Sequence, residues 1–147
     1  MELGCRRGEF AGCRPPATNA PGAVTLREAP HPRPGHAHPK LGASWEGLAL
    51  EHLLRVLRVE LGEAFHWSTH GGAALDLLLV RGGQRWGFEL KYADAPRTTK
   101  SIRVALDDLK LERLYVIYPA ERDYALDDRI EVLALRNVAR LRDRRGL

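Results

Sequence analysis

The sequence predicts an α/β domain preceded by a structureless tail, and three observations predict it. Three runs with helical spacing alternate with five strand-like runs between residues 41 and 147. A Gly-Gly pair sits between two of those strands, the strongest hairpin signal in the chain. From Met1 to Pro39 neither period is sustained, and seven of the nine prolines and both cysteines, Cys5 and Cys13, fall there. At 147 residues there is room for one ordinary core and not for two.

Residues 1–38 are rich in Gly, Pro, Ala and Arg and bury too little apolar surface to offset their ordering entropy, so they are expected to be disordered. His31, His36 and His38 lie in this tail among prolines, with no carboxylate partner, and read as solvated rather than as a metal tract. The domain is expected over 39–147. Ser44 is a good helix N-cap, and from Trp45 the positions Leu48, Ala49, Leu53, Val56, Leu57 and Leu61 repeat at helical spacing until Gly62. Ala64 to Thr69 reads as a strand, followed by a turn at His70-Gly71-Gly72. Ala73 to Val80 and Arg85 to Tyr92 are strands joined by Arg81-Gly82-Gly83-Gln84. Thr99 to Leu109 is an amphipathic helix with Ile102, Ala105, Leu106 and Leu109 on one face. The apolar run Leu114 to Tyr118 suits a buried strand, Asp128 to Leu135 a last one, and Arg136 to Arg145 a short basic helix. Trp45, Trp67 and Trp86 read as core residues rather than as base-stacking platforms.

The net charge of +4 divides unevenly. The first 40 residues carry +3 and the last 12 carry +4, which leaves residues 41–135 at −3. A strongly basic nucleic-acid-binding domain is thereby excluded. The absence of cysteine beyond residue 13 excludes a disulfide framework or a Cys-ligated zinc site in the domain. No run approaches the roughly 18 apolar residues of a membrane span, and no signal-peptide core is present. The chain reads as cytoplasmic, with reduced thiols and no membrane partner.

Chemistry concentrates at the hairpin. With Gly82 and Gly83 as the two loop residues of a primed turn, opposed residues have numbers that add to 165, which sets Asp76 against Glu89. Period-two alternation then puts Lys91 beside Glu89. Two opposed carboxylates in hydrophobic strands repel unless a proton or a cation is shared. A hard divalent ion held by one or two carboxylates, with several waters kept, is what Mg²⁺ (or Mn²⁺) prefers. A neighbouring ammonium would orient an attacking water and stabilise charge on a phosphate. Taken singly, each element has a plainer role: a Glu-x-Lys pair is commonly a solvated ion pair, and an isolated strand Asp commonly satisfies a backbone donor. Glu46 adds a carboxylate in the first turn of the leading helix.

Five blocks in order then resemble a known family: His38-Pro-Lys-Leu-Gly-Ala-Ser-Trp-Glu-Gly47; Thr69-His-Gly-Gly-Ala-Ala-Leu-Asp-Leu-Leu78; Gly87-Phe-Glu-Leu-Lys91 with Asp94-Ala-Pro96; Lys100-Ser-Ile-Arg-Val-Ala-Leu-Asp-Asp-Leu109; and Tyr115-Val-Ile-Tyr-Pro119. Residues 39–135 resemble the domain of unknown function 4143, found at the C-terminus of many bacterial and archaeal AAA-type ATPases. That family is similar to the restriction-endonuclease-like, PD-(D/E)xK superfamily, which implies a mixed central sheet flanked by helices. The resemblance implies that Glu46 is the helix glutamate of a metal site, Asp76 its metal-binding aspartate, Glu89 the second ligand and Lys91 the catalytic lysine. It also implies a Mg²⁺- or Mn²⁺-dependent nuclease acting on DNA. The competing expectation is a non-catalytic DNA-binding or regulatory module of such an ATPase. No Walker-type phosphate-binding loop occurs in the chain, so an AAA-type ATPase would act in trans. Residues 1–38 do not resemble the family's connecting region, and a leader read from a shifted frame, or a gene fragment, would explain the change of texture. His66 and His70 sit on a strand pattern that separates them by roughly 13 Å, against a zinc pair. No nucleophile turn supports acyl transfer.

Overall fold

Gly82 and Gly83 adopt φ of 58° and 81°, both in the left-handed region that a primed two-residue turn requires. The turn joins strand β3 (Ala74–Arg81) to strand β4 (Gln84–Leu90). Pairing runs from Arg81↔Gln84 to Leu77↔Phe88, every pair adding to 165 as the sequence dictates. The computed structural model that contains this hairpin describes residues 24–28, 41–144 and 147.

Around the hairpin the chain builds a mixed seven-stranded sheet, with strands β1 (Val24–Glu28), β2 (Ala64–Thr69), β5 (Arg113–Tyr118), β6 (Tyr124–Asp127) and β7 (Ile130–Ala134) in the order β1-β2-β3-β4-β5-β7-β6. The first four strands form an antiparallel meander. β4 pairs parallel with β5, and β5 with β7. A parallel neighbour needs a crossover connection, and helix α2 (Lys100–Asp108) supplies the one between β4 and β5. Helix α1 (Leu41–Val56) and a closing 3-10 helix (Leu135–Asp143) cover one face, where Ala49, Leu53, Val138 and Leu141 pack on Leu77, Leu79, Phe88 and Tyr115. On the other face α2 buries Ile102, Ala105 and Leu106 against Leu78, Leu114 and Val116. Helices on both faces of a mixed sheet confirm the expected fold class. Among the described residues no helix is long and apolar enough to cross a membrane.

Several boundaries move from their sequence positions. Residues 1–38 are expected to lack structure, and this is corrected for Val24–Glu28. That short alternating run pairs with β2 and covers a sheet edge whose backbone groups would otherwise be unpaired. The rest of the tail, with Cys5, Cys13, His31, His36 and His38, lies outside the described residues. Helix α1 begins at Leu41, so Ser44 is inside it and Glu46 stands in its second turn rather than its first. It also ends at Val56, well before Gly62. Arg58 takes the left-handed conformation (φ 49°), Val59 N–H bonds to Leu54 O and Arg58 N–H to Arg55 O, the pattern of a Schellman stop. Leu48 and Leu61, expected on the apolar stripe, are exposed. β6 is absent from the sequence reading, and the short helix expected over Arg136 to Arg145 is a 3-10 helix over Leu135–Asp143. Asp123 fixes that helix, accepting from the Ala134 N–H, from Asn137 Nδ2 and from Arg140 Nη1.

The stop of α1 is set from across the fold. Arg81 donates to Leu57 O (3.1 Å) and Arg58 O (3.2 Å), and holds both Glu63 oxygens (3.0 and 2.6 Å). The hydrogen bond from Arg81 keeps the Glu63 carboxyl below its ordinary range. Such a group adds stability above the unfolded carboxylate pKa, and that stability is lost as pH falls through the lowered folded value. Arg81→Ala is therefore expected to cost about 2 kcal/mol at neutral pH, with the difference in urea midpoint from the parent protein narrowing in acid. A difference independent of pH would assign the loss to the two carbonyls instead.

Candidate active site

Between β3 and β4 the regular ladder stops at Leu77↔Phe88, and the next pair in that register is Asp76 with Glu89. Here the two strands part. β3 keeps its pairing with β2 down to Ser68↔Ala74, while β4 keeps β5 through Glu89↔Val116 and Leu90↔Ile117. Against β2 the register shifts at the same place: between Phe65↔Leu78 and Trp67↔Leu75, Asp76 and Leu77 of β3 stand opposite His66 alone, so β3 carries an extra residue. Such a shift bends a strand, and β3 records it: Leu75 and Leu78 pack in the same core cluster although they are three residues apart. Strict alternation would place them on opposite faces, so the strand changes phase beside Asp76.

In the opening, side chains replace the ladder. The Asp76 carboxylate accepts the Leu90 N–H through Oδ2 at 2.7 Å. The plainer role of a strand aspartate is thus realised, and it uses one of the two oxygens. Glu89 is the one buried charged residue among the described residues. Its carboxylate receives the Asp76 backbone N–H, and its Oε1 lies 2.7 Å from Lys91 Nζ. Burial raises the Glu89 carboxyl above its ordinary range and the Asp76 charge raises it further, with Lys91 opposing both. For Lys91, burial acts to lower the ammonium, but Glu89, followed by Asp76 and Glu46, leaves it above its ordinary value.

Three of the four residues singled out in the sequence are therefore brought together: Asp76, Glu89 and Lys91. Glu46 stands at the rim and enters through its attraction for Lys91. The first turns of α1 reach this end of β4, where the half-buried Trp45 ring lies 5.9 Å from that of Tyr92. The sequence reading misses Ser101. Its hydroxyl accepts from the Ala74 N–H (2.9 Å) and donates to the Ala74 carbonyl (3.0 Å), two residues before Asp76. No local pattern signals a contact that spans 27 positions.

Two carboxylates beside one ammonium leave an excess negative charge where at least one carboxylate is buried. The spare donors are hard oxygens, few in number and open to water on the Lys91 side, which is 42% exposed. That donor set suits a small divalent cation that retains waters. Among the described residues no group of three His, Cys, Asp or Glu side chains is placed to hold a metal ion, so Glu46, Asp76 and Glu89 do not form a three-carboxylate group and the pair Asp76–Glu89 stands without the helix glutamate.

Fold and site together define an α/β domain with an acidic pair and a lysine at the fork of its central hairpin. The chain belongs to the domain of unknown function 4143 family, whose model matches residues 41–138. It is similar to the uncharacterized proteins Mb2031c of Mycobacterium bovis and Rv2008c of Mycobacterium tuberculosis. Each is 42% identical over 93 residues, which are 63% of this chain and 21% of the relative. The match thus spans about a fifth of the length of these relatives.

Proposed function

We propose that this domain is a metal-dependent nuclease that hydrolyses DNA phosphodiester bonds, with the restriction-endonuclease-like, PD-(D/E)xK arrangement its motifs resemble. The observation that carries the reading is the buried Glu89, set against Asp76 and bonded at 2.7 Å to Lys91. Asp76 and Glu89 would hold Mg²⁺ or Mn²⁺, with Glu46 at the rim. A bound ion of this kind supplies Lewis acidity toward a phosphate oxygen and lowers the pKa of a coordinated water. Lys91, 2.7 Å from Glu89 Oε1, would orient the attacking water and offset negative charge on the phosphate. Water oxygen adds to phosphorus and gives up a proton to solvent, one ester P–O bond breaks, and the departing oxygen takes a proton from solvent. DNA is the proposed substrate, and an AAA-type ATPase domain acting in trans the proposed partner in a cytoplasmic setting.

A second reading has its own observation. Asp76 already serves the Leu90 N–H and Glu89 already serves Lys91, as they would in a non-catalytic DNA-binding or regulatory module. Calorimetric melting of the full chain in rising MgCl₂ separates the two. Cation binding to the folded state alone stabilises by about 2.7 kcal/mol at 100 times Kd, so the nuclease reading expects a Tm that climbs with MgCl₂, together with nicking of plasmid DNA. Protons compete for Glu89, so the climb is expected to fade as pH drops through the raised carboxyl range. A Tm indifferent to Mg²⁺ and Mn²⁺ with no nicking would leave the regulatory module in place.

A further inference from the structure

We propose that Ser101 is a positioning residue for Asp76, holding the β3–β4 fork open so that the carboxylate stays on the Leu90 N–H and faces Glu89. The argument begins with hydrogen-bond direction. In an antiparallel pair, alternate residues turn their N–H and C=O toward a given neighbour. Thr69 N–H bonds to Ala73 O, and Thr69 Oγ1 receives the Ala73 N–H, so Ala73 faces β2. Ala74 is the next residue, and its backbone groups turn away from β2 toward the side on which β4 lies. β4 does not meet them, because its pairing with β3 has ended three residues further along, at Leu77. Unpaired backbone groups at such a position are costly, and the Ser101 hydroxyl satisfies both, one as acceptor and one as donor.

Ser101 can do this because it lies in the first turn of α2, which Thr99 caps by accepting the Ile102 N–H at 3.2 Å. Ile102 and Ala105 anchor that helix in the core. The hydroxyl is therefore a fixed peg driven between the strands from the helix layer. Side chains replace the missing rungs of the ladder: Ser101 serves Ala74 and Glu89 serves the Asp76 N–H on β3, and Asp76 serves the Leu90 N–H on β4. Without the peg, the Ala74 backbone groups are free to pair with β4, where the Leu90 N–H faces β3 and would be taken by backbone. Asp76 would then lose its bond and its place opposite Glu89.

The activity consequence rests on the nuclease reading, while the positional consequence does not, and the experiment reads them separately. Hydrogen exchange on the metal-free full chain compares Ser101→Ala, Ser101→Thr and the parent protein at two amides of the same strand end. The Leu90 amide depends on Asp76, whereas the Lys91 amide bonds to Ile117 O of β5 at 2.9 Å. Ser101→Ala is expected to change Leu90 exchange about tenfold or more, with Lys91 unchanged, and Ser101→Thr, which keeps the hydroxyl, is expected to restore the parent rate. In parallel, the MgCl₂ concentration at half-maximal Tm rise is expected to increase about tenfold in Ser101→Ala and to recover in Ser101→Thr. Parent-like Leu90 exchange in Ser101→Ala would overturn the proposal, as would an equal change at Leu90 and Lys91, which would signify general loosening. A parent protein with no Mg²⁺ response would overturn the nuclease reading, and the exchange comparison would still decide the role of Ser101.

Discussion

Lys91→Ala is expected to lower DNA hydrolysis by about 10²-fold or more while the Mg²⁺-dependent rise in Tm survives, whereas Asp76→Ala is expected to abolish both. The two substitutions remove different things. Lys91 contributes a positive charge whose Nζ lies 2.7 Å from Glu89 Oε1, and in that position it competes with a cation for the same oxygen. Taking it away frees the carboxylate, so the ion should bind at least as tightly at alkaline pH. It also removes the group that opposes the upward shift of Glu89, so protons hold that carboxyl to higher pH and the metal response should begin at higher pH than in the parent. The loss in rate then reports the missing stabilisation of the phosphate. Asp76→Ala leaves Glu89 as the remaining member of the pair and strips the Leu90 N–H of its acceptor. Melting curves in MgCl₂ and plasmid nicking, run side by side, read both effects. If Lys91→Ala loses the metal response as Asp76→Ala does, the lysine is a structural counter-ion and not a catalytic group. If Asp76→Ala is more stable than a parent protein that neither binds metal nor nicks DNA, carboxylate repulsion exists without catalytic use.

How much of this site could be read from the chain depends on which contacts are local. The Asp76–Glu89 opposition follows from Gly82 and Gly83, because a two-residue primed turn permits one register and counting outward does the rest. The parting of the strands is invisible to that count. It coincides with an extra residue of β3 in its pairing with β2, opposite the stretch from Phe65 to Trp67, and with the Ser101 hydroxyl reaching Ala74 from a helix that follows. The early end of α1 has the same character. Its local signal, the periodicity continuing to Leu61, is overruled by Arg81, which takes the carbonyls of Leu57 and Arg58 from the far end of β3. β1 and β6 lie at the two ends of the sheet. An end strand is specified by its one neighbour as much as by its own residues, and Tyr124–Asp127 alternates half-buried with exposed positions too briefly to stand out. Core elements were legible for the opposite reason. In β5 and α2 the pattern of apolar residues is itself the burial pattern.

Trp67→Ala is expected to cost about 3–5 kcal/mol in unfolding free energy, the largest stability loss of the three tryptophans, and Trp45→Ala only about 1–2 kcal/mol. The sequence reads all three as core, and the structure ranks them. Trp67 is fully buried and pairs across the sheet with Leu75, so its removal leaves a cavity beneath α2 that rigid neighbours cannot fill. Trp86 is buried too, but its Nε1 has no hydrogen-bond partner, an uncompensated polar group that offsets part of its packing contribution. Trp45 is half-buried at the edge of the core, and its ring makes a tilted pairing with Tyr92, itself half-exposed. Urea unfolding of the three variants gives the order directly, since the midpoint falls in proportion at constant slope. Trp67 also pairs with Leu75, the residue next to Asp76, at the register shift between β2 and β3, so its loss is expected to slacken the bend beside Asp76. Trp67→Ala is accordingly expected to weaken the Mg²⁺ response even under conditions where the variant remains folded, while Trp86→Ala, nearer the Gly82–Gly83 turn, is expected to leave it intact. Equal losses of stability and equal Mg²⁺ responses in the two variants would mean that the bend is held elsewhere, by Ser101 and α2 alone.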